Sequence, residues 1–131
     1  MFDKDGKLYA CEGRGRRVVR YNAGGTTTVL ADHFEDKRLN SPDDLAFHGH
    51  GRLWFTDPRY GDKVDDLKFD HQSVFRLDPQ ANGQWVITRV TFDTSKPNGL
   101  LVSPDQRSAL RCAKRIWQGG AARITCVPDQ R

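Results

Sequence analysis

RLNSPDDLAFHGHGRLWFTDPRYG (residues 38–61) reads as a polar loop, a short apolar strand, a glycine turn, an aromatic strand and a second polar loop. Leu45-Ala46-Phe47 is the first strand. His48-Gly49-His50-Gly51 is turn chemistry, because glycine takes positive φ without a Cβ clash. Residues 52–56, Arg-Leu-Trp-Phe-Thr, are rich in aromatic and β-branched side chains, which suits a second strand. Pro58 donates nothing to a ladder and biases Asp57 away from helix, so residues 57–61 form a loop. A hairpin brings the chain back to the end from which it set out. The loop with Asn40, Ser41, Asp43 and Asp44 and the loop with Asp57 therefore meet at one end of a sheet.

Outside this stretch the pattern continues. Residues 8–12, 16–21, 26–30, 74–78 and 85–90 read as strands, separated by turns such as Asn22-Ala23-Gly24-Gly25. No window shows a helical period, and strands spaced by roughly 8–12 residues are an all-β signature. Laid so that Phe2 falls on Phe47, the chain aligns Gly6 with Gly51, Lys7 with Arg52, Leu8 with Leu53 and Tyr9 with Trp54. Laid so that Pro42 falls on Pro97, Asp43-Asp44-Leu45 meets Asn98-Gly99-Leu100. Units of roughly 40–50 residues with four strands each are propeller blades, and the repeated loops favour that over an ordinary meander sandwich. The expected architecture is an all-β β-propeller of four-stranded blades. One incomplete domain over residues 1–131 would hold about two and a half to three blades, with units near 1–37, 38–95 and 96–131.

The bulk properties exclude several classes. A net charge of +4 over 131 residues is mild. Only Arg14, Arg16 and Arg17 cluster, which is no nucleic-acid stripe. No apolar run nears the roughly 20 residues of a membrane span. The first residues lack a signal-peptide layout, which favours the cytoplasm. Cys11, Cys112 and Cys126 have no zinc-type spacing and form no disulfide framework.

The strings CEGRGRRVVRY, TTTVLADHFEDKRLNSPDDL, GRLWFTDPRYG, HQSVFRLDP and KPNGLLVSPD occur in order through residue 107. Together they resemble the gluconolactonase group of the senescence-marker-protein/gluconolactonase/luciferin-regenerating-enzyme family. The resemblance implies a six-bladed propeller and hydrolysis of a sugar lactone or related cyclic ester. It also implies one divalent cation, usually Ca²⁺ (Zn²⁺ and Mg²⁺ being alternatives), at the top of the channel. Asn98 matches the family's Asn metal ligand, and an amide oxygen suits a hard cation. The family's N-S-P-N-D motif places an Asn where this chain has Asp43, an exchange of a donor-acceptor for an acceptor-only group when ionised. Asp43 is the candidate for holding the attacking water, and Asp43, Asp44 and Asp57 are the candidates for substrate contact, Asp57 having a structural role as its alternative. Glu12 does not match the family's metal-binding Glu, and the turn accounts for His48 and His50.

Three blades do not close a six-bladed ring. The open edges then offer a route to self-association. A half-propeller that binds calcium or a partner without catalysis is the alternative to the hydrolase, and an NHL- or YWTD-like propeller fits the repeat but not the FTDP and PNGL loops. Residues 108–131 show no clear alternation. Ala-Leu-Arg-Cys-Ala-Lys, written in codons and read one base on, becomes Leu-Tyr-Val-Ala-Gln, the strand that the repeat demands. A frameshift near Ser108 is the corresponding expectation.

Overall fold

Leu53, Trp54, Phe55, Thr56 and Asp57 are all buried, although successive side chains of a strand point to opposite faces. A strand buried on both faces belongs to a sheet packed between two others. The computed structural model, which describes residues 1–60, 66–113 and 123–128, has that arrangement. Strands β1 (Leu8–Glu12), β2 (Arg17–Tyr21) and β3 (Thr27–Ala31) form the first sheet. A two-stranded ribbon of β4 (His33–Phe34) and β5 (Lys37–Arg38) follows. Strands β6 (Leu45–Phe47), β7 (Leu53–Asp57), β8 (Ser73–Pro79) and β9 (Trp85–Arg89) make a four-stranded meander. Strands β10 (Pro97–Val102), β11 (Ser108–Ala113) and β12 (Arg123–Pro128) form the last sheet. All pairings are antiparallel and link neighbours in sequence. This is the blade meander of a β-propeller, all-β as expected.

The two faces of the central sheet feed two cores. Leu53, Phe55, Phe75 and Leu77 pack with Tyr9, Val18, Leu30 and Leu39, joining it to the first sheet. Trp54, Val74 and Ala46 pack with Leu100 and Ala109, joining it to the last. Side chains of Leu or Phe size each stabilise by about 1.5–3 kcal/mol when fully buried, so these seams hold the sheets face to face. Among the described residues no helix is long and apolar enough to cross a membrane.

Two local features depart from the sequence reading. The β4–β5 ribbon sits in a stretch without a glycine or asparagine turn signal. Glu35 supplies the left-handed residue instead, at φ 55°. Phe34 anchors the ribbon against Phe75 at 5.3 Å and Phe69 at 6.0 Å. In the last sheet β11 and β12 pair from Ser108↔Pro128 to Ala113↔Arg123, although residues 108–131 lack a clear alternation.

Candidate functional site

The polar loop before β6 is held by the end of β7. Asp57 is fully buried, and its two carboxylate oxygens accept the backbone amides of Asn40 and Ser41, each at 2.8 Å. Asn40, also fully buried, donates its side-chain amide to the Asp57 carbonyl at 3.4 Å and accepts the Lys68 amide at 3.1 Å. Burial pushes the Asp57 carboxyl up to about 6, against the pull of the Asn40 and Ser41 amides and of Arg16. Arg16, in the left-handed region at φ 55°, donates to the Leu39 carbonyl at 2.7 Å. A Cβ on Gly13 would lie 2.9 Å from Ser41 Oγ, so the first sheet's turn presses against the same loop.

Asp44 and Thr56 tie this loop to the next blade. Asp44 Oδ1 accepts the Leu45 amide at 2.9 Å, and Oδ2 accepts the Leu100 amide at 2.8 Å. The Thr56 hydroxyl donates to the Asn98 carbonyl at 3.0 Å and accepts the Asp44 amide at 3.1 Å. The Thr56 carbonyl receives the Asp43 amide at 3.0 Å. Thr56 thus touches both the Asp43-Asp44 step and the turn of Asn98. That turn is irregular: the β10 register shifts between Pro97 and Leu100, and Lys96 stands at φ 103°, a region L-residues rarely adopt.

The structure brings Asp43, Asp44, Asp57 and Asn98 to one end of the sheets but gives them different surroundings. Asp44 and Asp57 have both carboxylate oxygens occupied by backbone amides. Asp43 and Asn98 are exposed, and no side-chain hydrogen bond or ion pair of either is seen among the described residues. Partial burial, then the charge of Asp44, raises the Asp43 carboxyl. Burial raises the Cys11 thiol strongly, and the charges of Asp44, Asp43 and Asp57 add to it.

The sequence from residue 1 to residue 112 matches the SMP-30/gluconolactonase/LRE-like region. The chain belongs to that family. It is 32% identical over 123 residues to the gluconolactonase of Zymomonas mobilis, a match covering 86% of this chain and 33% of that protein. It is 30% identical over 87 residues to the lactonohydrolase oryL of Aspergillus oryzae, covering 64% of this chain and 19% of the relative. A solved gluconolactonase from Xanthomonas campestris superposes with a TM-score of 0.79 at 34% identity, over 95% of this chain and 42% of that one. The chain thus spans about a third of the length of its curated Zymomonas relative.

The exposed donors of this family member suit a hard divalent cation. A carboxylate and an amide oxygen match Ca²⁺ or Mg²⁺ chemistry better than zinc's, which prefers nitrogen and sulfur. Among the described residues no three His, Cys, Asp or Glu side chains gather as a metal cluster. The Asn98 amide oxygen is a donor of the kind that a Ca²⁺ shell of roughly six to eight oxygens takes.

Other candidates have structural work. Glu12 pairs with Arg17 and accepts the Tyr21 hydroxyl at 2.9 Å, and those two bonds, Arg17 first, hold its carboxyl low. His48 is buried, with Nε2 2.7 Å from the Gln106 carbonyl and Nδ1 accepting the His50 amide at 3.2 Å. His71 is exposed beside Asp70. Sequence reasoning gave Thr56 and Arg16 no part in the site and placed Asn40 in the polar loop without its bond to Asp57.

Proposed function

We propose that this chain carries the Asp43–Asn98 side of a divalent-metal-dependent lactone hydrolase, with a sugar lactone or related cyclic ester as substrate. The observation that carries the reading is the contrast at one sheet end. Two acids there are consumed in fixing the backbone, while the exposed Asp43 and Asn98 side chains show no hydrogen bond among the described residues. Kinship to the Zymomonas gluconolactonase and the Aspergillus lactonohydrolase supports the substrate class.

In this reading Asn98 offers its amide oxygen to the cation, Ca²⁺ before Mg²⁺. A bound divalent cation supplies Lewis-acid polarisation of an ester carbonyl. Asp43 orients a water toward that carbonyl and takes its proton at a carboxylate oxygen as the water attacks. Its raised carboxyl makes it a better base than an ordinary surface aspartate. Asp44 and Asp57 do not touch substrate. Asp44 holds the Asn98 turn through Leu100, and Asp57 holds the Asp43 loop through Asn40 and Ser41.

The test is hydrolysis of glucono-δ-lactone by the purified protein, followed by acid release, for wild type, D43A and N98A. D43A lowers kcat with little change in KM, and N98A lowers calcium affinity and kcat together. Unchanged turnover in D43A rejects the assigned base. The carboxylate at position 43, where the resemblance expects Asn, favours a second reading in which the propeller binds calcium without catalysis. Calcium binding with no lactone turnover, restored by D43N, would select it.

A further inference from the structure

A cleft of about 470 Å³ opens at the opposite end of the sheets from Asp43 and Asn98. It lies where turns of the first two blades meet, bounded by residues 3–7, the β6–β7 turn and the β8–β9 turn. Phe47 closes β6, while Tyr9 and Trp85 stand near the starts of β1 and β9. Their rings gather there, Tyr9 meeting Phe47 edge-on at 4.9 Å and Trp85 at 6.3 Å. The Tyr9 hydroxyl lies between the Asp3 carboxylate and the Arg20 guanidinium. Arg20 spends its Nε on Asn22 at 3.2 Å. Asp3 spends Oδ1 on the Asp5 and Lys7 amides at 2.9 and 2.8 Å. Beyond these bonds and the Tyr9 hydroxyl, Arg20 keeps guanidinium N–H groups and Asp3 keeps its Oδ2 as an acceptor. Gln84 adds an amide at the rim.

We propose that this cleft is a second ligand site, for an uncharged polyhydroxylated ring of pyranose size. The half-buried rings of Phe47 and Trp85, set on the buried Tyr9, give an apolar wall for the C–H surface of such a ring. An acceptor (Asp3) and a donor (Arg20) match hydroxyls at its edge. The volume lies within the range of small-molecule sites, and a few convergent polar groups on an apolar wall are their usual chemistry. Lys4, Lys7 and Arg20 against Asp3 and Asp5 leave an excess of one positive charge, so the cleft makes no strong demand for a charged ligand. The site is independent of the hydrolase reading, because it shares no residue with the other end.

Methyl β-D-glucopyranoside, which has no lactone to hydrolyse, is the probe. Its binding is followed by the NMR cross-peak of the Trp85 indole N–H. The expected result is a saturable shift whose affinity falls about tenfold in R20Q, the loss of one charge-assisted hydrogen bond. D3N retains a carbonyl oxygen for the Asp5 and Lys7 amides, and it weakens binding likewise. N98A leaves the affinity unchanged. No saturable shift overturns the proposal. So does full affinity in either folded cleft variant, or loss of binding in N98A, which would put the sugar at the other end.

Discussion

Replacing Asp57 by Asn should change how stability depends on pH, and in an unusual direction. The carboxyl is buried and pushed from 3.8 up to about 6, so the folded chain keeps its proton at pH values where the unfolded chain has released it. Between those values the folded state binds more protons, and stability falls as pH rises. The contribution is fully present below the unfolded pKa and is lost as pH climbs through the folded one. A gap of about two pKa units corresponds to about 3 kcal/mol. Asn does not titrate. At about pH 3, below the unfolded value, where Asp57 is largely neutral in both states, D57N loses one acceptor for the Asn40 or Ser41 amide and costs about 1–3 kcal/mol. At about pH 8 the wild type bears the buried charge, so the gap shrinks to about zero or reverses. Urea unfolding of both proteins at the two pH values measures this. The acids held low by partners, Glu12, Asp66 and Asp70, are common to both and cancel in the difference. A D57N penalty that is constant with pH, or larger at pH 8, refutes the burial argument.

Other perturbations follow the same contacts. D44A strips the acceptor from the Leu45 and Leu100 amides, so a loss of about 2–4 kcal/mol is expected in the urea midpoint, with weaker calcium binding in calorimetry. T56V keeps the shape but removes the donor to Asn98; about 1–3 kcal/mol should go, and calcium affinity should fall while the sheet content in circular dichroism stays. G13A forces a Cβ against Ser41 Oγ, and a thermal midpoint lowered by about 1–3 kcal/mol worth of overpacking is expected, with a rise in KM as the loop shifts. The coding sequence across Ser108 tests the frameshift: codons that forbid Leu-Tyr-Val in the shifted frame would remove it.

The blade pattern was legible because it rests on short-range chemistry. Gly51 takes φ 79° in the turn that the sequence marked, and residues 52–56 foretold β7 within one position. The meeting of the Asp43 and Asp57 loops also followed from hairpin logic. What each acid does was not legible. Asp43, Asp44 and Asp57 look alike in sequence, and the difference lies in which backbone amides reach them. Asp44 meets the Leu100 amide from another blade, so local pattern carries no trace of that bond. The β4–β5 ribbon was missed because Glu35 fills a left-handed position that glycine or asparagine usually announces.

The most direct measurement is calcium calorimetry on the purified protein and on N98A, paired with glucono-δ-lactone turnover before and after chelation. The account predicts that wild type binds calcium, that chelation abolishes turnover, and that N98A weakens both without changing the unfolding midpoint. Equal calcium affinity in wild type and N98A, or turnover indifferent to the chelator, would contradict it.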